Sequence, residues 1–560
     1  MITATLKSAS LFERILTSPW TLLFVIALSF FWQLGAMPLY NLDEGAFTEA
    51  TREMLESGNF ITPHKDGEPR YDKPILIYWL QAASTQVFGL NEFALRLPSA
   101  LAASFWVLAL WGFVRKHIDA PTATVAGLTL ALALQVSLIG KAAVADALLN
   151  LFLALTFFDM YRYFTAPAVK TQRRSLYRAY LWMGLGFLTK GPVAVFFPVL
   201  VSFLFTLTEI RWSLHSWQVL KRWLFAAISP LGWLIFLLVT VPWYLAIYLD
   251  DGIGFFESFF LQHNAGRFTA VMHGHAGFPG YYVIALPLIV LPFSGWLINL
   301  WRNYRSAWQD QLERFLWLWF ISVFIFFSFS ATQLPHYLLY GATPLFILMA
   351  KYREQLTQRS LALLPPLLLI ILFVALPLIV DFILHVAHGI ATSHSAEVRA
   401  MWQLNPQLAG ILTVAQQEFD LLYGIAMLIS LAVIIWLWQH ATMSLWQRLI
   451  LAGVLQTVVV YGVVMPRIFT ALQLPVKEAA LIAQHMALPT VMYRTSAPSF
   501  SVYRQAITPK RPLQAGDLVF LRVDKRAALQ CEYPELTAEL IYQRGAFILL
   551  KLTAQSEFMP

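Results

Sequence analysis

The stretch Asn41-Leu42-Asp43-Glu44-Gly45 opens a charged segment that ends with Arg70-Tyr71-Asp72-Lys73-Pro74. This segment follows directly on the apolar residues 32–42, so the carboxylates of Asp43 and Glu44 are expected at the mouth of a membrane domain. Ionisable side chains at that depth are costly, and by default they belong to a functional site. The segment therefore predicts a site rather than a plain connection between two helices.

The composition of the rest of the chain is that of a polytopic membrane protein. Hydrophobic residues make up 58% of it and charged residues 12%, whereas a soluble globular protein has about a quarter of its residues charged. The mean hydropathy is +0.62. The net charge of +8 is spread over short loops between apolar segments, which is typical of topology signals and not of a basic face that binds nucleic acid. We therefore expect membrane lipids as surroundings and no nucleic acid as a partner.

Two further features concern processing and redox state. The first apolar segment is long enough to span a membrane and lacks a small-x-small cleavage site, so no cleavable signal peptide is expected. The single cysteine, Cys531, excludes a disulfide within the chain.

The apolar segments predict an all-α membrane domain of about thirteen transmembrane helices. They cover residues 19–39, 96–114, 121–140, 145–161, 177–189, 191–208, 223–249, 281–301, 315–331, 336–350, 361–380, 420–438 and 445–465. Alternate loops between them are rich in Lys and Arg, as cytoplasmic loops are. The other loops, which include 40–95 and 250–280, are expected on the outer side.

A change of composition after Met465 predicts a second domain. Residues 476–486 are a short helix candidate, and the Gly-bounded apolar runs 516–523 and 545–552 are typical of strands. We therefore expect a membrane domain over residues 1–465 and a small outer α/β domain over residues 466–560.

A set of charged and aromatic side chains falls in the outer loops and at the outer ends of helices. Asp43, Glu44 and Asp146 are the candidate catalytic carboxylates. Lys73, Lys190 and Arg267 are candidates for holding a phosphate. Tyr71, His336, Tyr337 and Tyr340 are candidates for lining a substrate cavity. Lys and Arg form charge-assisted hydrogen bonds with phosphate, and a carboxylate accepts a proton from an attacking oxygen or stabilises an oxocarbenium-like sugar.

This set predicts an enzyme that handles a phosphorylated, partly lipidic substrate. The sequence contains no Walker loop or Gly-rich nucleotide fingerprint, which argues against an ATP-driven transporter and against a sugar-nucleotide donor.

Several of these residues also have a plainer interpretation. Asp43 is a favoured helix N-cap residue type. Asp146 and Lys141 are close enough in sequence to neutralise each other, and Tyr337 and Tyr340 fit an interfacial aromatic belt.

Asp72 and His263 are candidate ligands for a divalent metal such as Zn²⁺, Mg²⁺ or Mn²⁺. Two ligands are fewer than the three or four of a known closed site, so both residues also fit as unrelated loop residues. The sequence leaves the presence of a metal open.

A set of short motifs occurs in a fixed order along the chain: Asp43-Glu44, Tyr71-Asp72-Lys73-Pro74, Arg96-Leu97-Pro98-Ser99-Ala100, Thr189-Lys190-Gly191-Pro192, His263-Asn264 with Arg267-Phe268, and Leu334-Pro335-His336-Tyr337-Leu338-Leu339. This ordered set resembles the bacterial branch of the polyprenyl-phosphate-sugar glycosyltransferases. That branch includes the lipid A aminoarabinose transferases and, more distantly, the protein O-mannosyltransferases. The resemblance covers about residues 19–350.

The resemblance implies a membrane-embedded (GT-C) fold in a bacterial inner membrane, with an undecaprenyl-phosphate-linked sugar as donor at the periplasmic face. It implies that Asp43 and Asp146 are the acidic residues of the site, that Lys73 and Arg267 lie near the lipid phosphate, that Asp72 and His263 form a metal pair and that Tyr337 lines the cavity. The lipid A enzymes usually have Asp-Glu-x-Arg-Tyr, and this chain has Ala46 and Phe47 in place of the Arg and the Tyr.

The function that we expect is sugar transfer from the lipid-phosphate donor to lipid A or another envelope glycolipid. Protein O-glycosylation remains an alternative acceptor chemistry. A lipid-linked sugar flippase and a non-catalytic assembly protein are alternatives of other classes. A transporter of the common designs has two related halves, and the charged segment near the N-terminus has no counterpart in the second half of the sequence.

Overall fold

The computed structural model describes residues 10–209, 214–266, 277–302, 308–391 and 405–554, and most of them are helical. In the membrane domain the helical elements are Leu11–Leu16, Pro19–Ile26 continued by Ala27–Phe31, Asp43–Ser57, Leu76–Phe88, Glu92–His117, Ala120–Leu132, Leu134–Lys141, Asp146–Thr165, Val169–Lys190, Val193–Glu209, Leu214–Ala227, Pro230–Asp251, Gly254–Phe256, Glu257–Ala265, Tyr281–Ile289, Ser294–Trp301, Gln311–Ser328, Pro335–Gly341, Thr343–Lys351, Arg353–Gln355, Arg359–Ala391, Pro406–Glu418, Leu421–Gln439, Leu445–Val459, Val460–Val464 and Met465–Leu472.

Six helices of the described residues are long and apolar enough to cross a membrane, and two bent pairs bring the number to eight. Only 11% of the apolar stretch of Arg359–His388 is buried inside the protein, so most of its surface is left for lipid. The predicted helical membrane architecture is thus confirmed, while the number of about thirteen spans stays a prediction.

Two predicted spans, 121–140 and 281–301, are bent pairs rather than continuous helices. Ala120–Leu132 meets Leu134–Lys141 at 67°, and Tyr281–Ile289 meets Ser294–Trp301 at 119°. Backbone groups freed at such breaks must find other partners inside a membrane.

The two breaks supply those partners to each other. The backbone N–H of Leu134 donates to the Leu291 carbonyl at 2.8 Å. The Gln456 side-chain amide donates to the carbonyls of Leu132 at 3.4 Å and Leu291 at 3.2 Å. The second break also contains Pro292, whose ring removes a backbone donor.

After the membrane helices the chain forms a small sheet packed with helices. The helices are Leu474–Met486, Pro498–Arg504, Val523–Lys525 and Arg526–Glu532, and the strands are Thr490–Met492, Leu518–Arg522, Leu536–Arg544 and Phe547–Ala554. Thr490–Met492 pairs in parallel with Leu518–Arg522, and the other two pairings are antiparallel. This agrees with the predicted helix and the two predicted strands; the other two strands were not predicted. The last membrane helix continues to Leu472, and the domain boundary at 465/466 stays a prediction.

The helix Asp43–Ser57 occupies the centre of the charged segment. It ends at Gly58, whose φ of 72° is the left-handed C-cap conformation that glycine adopts without strain. A two-stranded hairpin, His64–Lys65 with Glu68–Pro69, then returns the chain toward Arg70.

A buried ion pair holds the start of this helix to the membrane helix Glu92–His117. The Arg96 guanidinium donates two hydrogen bonds to the Glu44 carboxylate, each of 2.8 Å, and both side chains are almost fully buried. Glu44 also accepts the backbone N–H groups of Tyr40 and Ala143, each at 2.8 Å. Arg96 donates in addition to the carbonyls of Leu34, Met37 and Pro38.

The C-terminal domain contacts the start of the charged segment and the start of the helix Glu92–His117. The Asn41 side-chain oxygen accepts from the backbone N–H and the hydroxyl of Ser499, at 3.2 and 2.8 Å. A Cβ atom at Gly45 would lie 2.8 Å from the Ser499 nitrogen, so the close approach requires glycine there. The Tyr503 hydroxyl donates to Glu92 at 2.9 Å, and Lys477 forms an ion pair with the same carboxylate at 2.6 Å.

Cys531 gives a direct test of the predicted orientation, because it is exposed on the C-terminal domain. We expect a membrane-impermeant maleimide to label it in cells whose outer membrane is permeabilised, since the alternation of basic loops places this domain outside. A double variant, Arg174→Cys with Cys531→Ser, should stay unlabelled until the inner membrane is opened, because the exposed Arg174 lies in a predicted cytoplasmic loop. Mass spectrometry of the purified protein reads both results. If the maleimide labelled the cysteine at position 174 of the double variant from outside, and did not label Cys531 of the wild type, the orientation would be the opposite of the predicted one.

The Glu44–Arg96 pair predicts a large effect on stability. Glu44→Ala leaves a buried guanidinium without its carboxylate, and breaking such a pair costs about 3–5 kcal/mol. We expect the free energy of unfolding of the purified protein in detergent to fall by that amount.

Glu354→Gln is the control for this measurement. Its carboxylate is 66% exposed and lies 3.4 Å from Arg353, so its loss is expected to change the free energy of unfolding by less than about 1 kcal/mol. Equal effects of the two substitutions would show that the buried pair does not anchor the helix.

Candidate active site

A cavity of about 310 Å³ opens where the charged segment meets the membrane helices. Six of the predicted site residues line it: Asp72, Lys73, Lys190, His263, Tyr337 and Tyr340. The remaining lining residues are Pro192, Val193, Phe196, Phe259, Phe326, Phe327 and Ser330. The cavity thus has a charged part and a wall of phenylalanine side chains, and it brings together half of the twelve predicted site residues.

The most buried part of the charged wall is a three-residue contact. Lys190 Nζ lies 2.6 Å from Asp146 Oδ1 and 2.7 Å from the Tyr340 hydroxyl, which donates to the same carboxylate oxygen at 3.2 Å. Asp146 is in the first turn of its helix and Lys190 in the last turn of Val169–Lys190, positions at which each charge is favoured by the helix dipole. Asp146 pairs with Lys190, and the alternative of a neutralising pair with Lys141 is wrong.

Gly191 allows Lys190 to sit against the cavity wall. It has a φ of 79°, and a Cβ atom there would lie 2.4 Å from the Phe259 ring. The Lys-Gly-Pro motif is therefore explained by a turn that only glycine can make beside this ring.

Tyr337 and Tyr340 are parts of the site and not of an interfacial belt. Their exposed fractions are 6% and 2%, and Lys190 Nζ lies 5.7 and 5.4 Å from the centres of their rings. The neighbouring His336 has its Nε2 atom 3.8 Å from Asp146 Oδ1.

The second charged group of the cavity is built around Asp72. Its carboxylate lies 2.9 Å from His263 Nε2 and 3.0 Å from the Arg70 guanidinium, and Lys73 Nζ donates to the Asp72 carbonyl at 2.9 Å. Burial raises the pKa of Asp72, but the hydrogen bond from His263 and the charges of Arg70 and Lys73 lower it more. The net pKa is held well below the usual range, so Asp72 is an anion at neutral pH.

The predicted metal pair does not by itself form a metal site. His263 Nε2 and Asp72 contact each other directly, and a cation already occupies the other side of the carboxylate. Within the described ranges no group of three or more His, Cys, Asp or Glu side chains could hold a metal ion. A divalent metal stays a prediction from the sequence, and none of the steps proposed below uses one.

The two adjacent carboxylates of the first loop have different surroundings. Glu44 is buried and its oxygens accept hydrogen bonds from Arg96 and two backbone N–H groups, an arrangement that favours a structural role over the predicted catalytic one. Asp43 is exposed. Leu42 is the N-cap of the helix and Asp43 its first residue, so the alternative of Asp43 as the cap is wrong.

Asp43 is linked to the rest of the site electrostatically. Burial and the charge of Asp43 raise the pKa of Tyr40, and the same charge acts on Arg70, which holds Asp72. Asp43 is therefore within electrostatic range of Arg70, which contacts the cavity residue Asp72, although it is outside the lining.

Like Asp43, Glu44, Asp146 and His336, Tyr71 is not among the lining residues of the cavity. Tyr71 forms a hydrogen bond with Asp251 and an edge contact with Phe255, with ring centres 6.0 Å apart. Arg267, predicted to hold the donor phosphate, lies outside the described residues.

Two important arginines were not assigned a role from the sequence. Arg96 is the buried partner of Glu44. Arg70 contacts Asp72, the Tyr78 hydroxyl at 3.0 Å and the Phe47 ring at 5.2 Å. The role of Arg96 could have been predicted. An arginine in an apolar segment needs a carboxylate partner, and Glu44 is expected at the same side of the membrane.

The replaced motif positions Ala46 and Phe47 are both buried. The Phe47 ring stacks on Tyr78 with centres 5.5 Å apart and lies beneath the Arg70 guanidinium. At these two positions this chain therefore has buried apolar side chains where the motif of the lipid A enzymes has a polar Arg and Tyr.

The chain matches known glycosyltransferases over much of its length. Residues 72–244 match the family model of dolichyl-phosphate-mannose-protein mannosyltransferases. Two relatives are the undecaprenyl phosphate-α-4-amino-4-deoxy-L-arabinose arabinosyl transferase of Shewanella sediminis, 32% identical over 57% of this chain, and the second such enzyme of Proteus mirabilis, 30% identical over 58%. The chain spans 56% and 57% of the length of these relatives, respectively.

A solved structure shares the whole fold. The crystal structure of ArnT from Cupriavidus metallidurans bound to undecaprenyl phosphate superposes with a TM-score of 0.71 at 19% identity, covering 95% of this chain and 97% of that one. The resemblance drawn from the sequence motifs is confirmed: the chain is similar to the polyprenyl-phosphate-sugar glycosyltransferases and has their membrane-embedded GT-C fold.

Proposed function

We propose that this protein is a glycosyltransferase that moves a sugar from an undecaprenyl-phosphate donor to an envelope acceptor. The observation that carries the proposal is the cavity in which Lys73 and Lys190 lie next to a phenylalanine wall. Lysine charges suit a phosphate, and an apolar wall suits the first units of a polyprenyl chain. The names of the two arabinosyl transferase relatives support the same donor.

In the proposed reaction the acceptor oxygen attacks the anomeric carbon of the sugar, and the bond from that carbon to the phosphate oxygen breaks. The bonding electrons leave with the polyprenyl phosphate, whose negative charge increases. Lys73 and Lys190 stabilise this charge where it develops, and such preorganised contacts act mainly on the transition state.

Asp146 and Tyr340 have a positioning role in this mechanism. They hold Lys190 Nζ through contacts of 2.6 and 2.7 Å, which fixes the ammonium group beside the cavity. Asp72, an anion at neutral pH, positions the neighbouring His263 and Arg70 in the same way.

Asp43 is the proposed base. An acceptor hydroxyl would give its proton to this exposed carboxylate as the new bond forms. If the acceptor group is a phosphate, which is already ionised at neutral pH, Asp43 orients the acceptor instead and takes no proton.

The proposed location is a bacterial inner membrane, with the reaction at the periplasmic face, as the alternation of basic loops predicts. Lipid A or another envelope glycolipid is the proposed acceptor. The match of residues 72–244 to a protein mannosyltransferase model keeps a protein acceptor as the second candidate. Mass spectrometry of envelope lipids and glycoproteins from cells with and without this protein separates the two acceptors.

Lys73→Ala tests the phosphate contact. The substitution removes a charge-assisted hydrogen bond worth about 1.5–3 kcal/mol, so kcat/KM for the polyprenyl-phosphate sugar should fall by about ten- to a hundredfold. Arg302→Ala is the matched control, because Arg302 is exposed at the predicted cytoplasmic end of a helix. Equal activities of the two variants would rule out a phosphate contact at Lys73.

Asp43→Asn tests the proposed base, since it keeps the size of the side chain but removes its charge and basicity. Turnover should fall by about 10²–10⁴-fold, the usual contribution of general-base catalysis. The KM for the donor and the thermal midpoint should stay close to those of the wild type.

The assay is sugar transfer by the purified protein from a synthetic polyprenyl-phosphate sugar. Near wild-type turnover of Asp43→Asn with an acceptor that reacts through a hydroxyl would exclude Asp43 as the base. The same result with a phosphate acceptor is the outcome expected for an orienting role.

A further inference from the structure

A second cavity, of about 640 Å³, lies between the C-terminal domain and the first loop, and the reaction proposed above does not use it. Its described lining contains three cations, Arg494, Lys510 and Arg522, and no carboxylate. The other lining residues are Tyr40, Asn41, Leu42, Gln407, Ile411, Leu472, Gln473, Thr495, Ser496 and Phe547. We call this cavity the cationic cleft.

The charges around the cationic cleft leave it positive. Arg494 pairs with Glu532 at 3.0 Å, and both side chains are about half exposed. Arg522 pairs with Asp524 at 3.1 Å, and Lys525 shares that carboxylate at the same distance. Four cations thus face two carboxylates, and Lys510 is exposed.

The region between the cleft and the cavity lined by Lys73 and Lys190 contains charges of both signs. Burial, the charge of Arg70 and a smaller effect of Lys510 lower the pKa of Lys65, whereas the charges of Asp66 and Asp72 raise it. Arg70 contacts Asp72 in the wall of that cavity. Lys65 is therefore within electrostatic range of charged residues at both cavities.

The position of the cleft fits the headgroup of a lipid. Leu472 and Gln473 lie where the helix Leu445–Leu472 ends, so the cleft adjoins the end of a helix that is long and apolar enough to cross a membrane. Leu42, at the edge of the cleft, is 63% exposed and offers an apolar surface there.

The cleft also leads to the proposed base. Tyr40, Asn41 and Leu42 form one side of it, and the next residue along the chain is Asp43. A ligand that fills the cleft would therefore extend to the exposed carboxylate from the side of the C-terminal domain.

We propose that the cationic cleft binds the phosphate groups of a glycolipid acceptor and presents the saccharide headgroup to Asp43. This inference rests on the proposed function for the identity of the ligand as an acceptor. A volume of about 640 Å³ lies within the range of about 300–1,000 Å³ that is usual for pockets of small ligands. Three cations and several amide and hydroxyl groups match a phosphorylated saccharide.

The test compares two double variants that remove the same charge from the same domain. Lys510→Gln with Arg522→Gln removes two cations from the cleft, whereas Arg526→Gln with Lys551→Gln removes two cations that lie outside the lining and outside the ion pairs described above. The probes are a detergent-solubilised diphosphorylated disaccharide lipid, its dephosphorylated form and inorganic phosphate, with binding measured by titration calorimetry on the full-length protein.

We expect the cleft variant to bind the diphosphorylated lipid at least about tenfold more weakly than the control variant, since each lost charged contact is worth about that factor. The Kd for the dephosphorylated lipid and the KM for the polyprenyl-phosphate sugar should be unchanged. If the cleft variant fails to fold, Lys510→Glu alone, at an exposed position, should weaken binding of the diphosphorylated lipid in the same selective way.

Equal Kd values of the two double variants for the diphosphorylated lipid would overturn the inference. Inorganic phosphate binding as tightly as the lipid would also overturn it, because the cleft would then be a site for a free anion. Failure of the proposed function gives a different result: the wild type would transfer no sugar to any acceptor, while the difference in lipid binding between the variants would remain.

Discussion

The buried ion pair between Glu44 and Arg96 is the contact on which the geometry of the site depends. A guanidinium inside a bundle of apolar helices must have all its donors satisfied. Here it bonds to one carboxylate and to the carbonyls of Leu34, Met37 and Pro38. Because desolvation offsets much of the attraction in such a pair, its main effect is to fix position. The pair thereby fixes the position of the loop before residue 44 relative to the helix Glu92–His117.

That placement determines the surroundings of Asp43. Successive residues of a helix point about 100° apart, so fixing Glu44 inward turns the neighbouring carboxylate outward to solvent. The same reasoning applies to Asp146 and Lys190, which meet because an N-terminal turn and a C-terminal turn of two adjacent helices lie at one level. In both places a helix end and a buried opposite charge fix the direction of a charged side chain: Asp43 faces solvent and Lys190 faces the cavity.

Much of this arrangement follows from the sequence, since charge is conspicuous in an apolar chain. Part of the predicted set lines one cavity, with Lys73, Lys190, Tyr337 and Tyr340 among its members, whereas Asp43 and Tyr71 are outside the lining. The different roles of Asp43 and Glu44 were not predictable, because adjacent carboxylates look alike until a partner is known. The helix breaks near Leu132 and Leu291 depend on Gln456, which is far away in sequence. The strand Thr490–Met492 has three residues, too few for a periodic signal.

The C-terminal domain helps to position the first loop of the membrane domain. Ser499 bonds to Asn41 and packs against Gly45, so it contacts residues on both sides of Asp43 and Glu44. Arg96 holds the same short segment from the membrane side. A loop held from two sides loses little entropy when substrates bind, and this preorganisation suits the proposed role of Asp43. Because the domain that fixes the loop also lines the cationic cleft beside it, the position of Asp43 and the proposed binding of an acceptor depend on one interface.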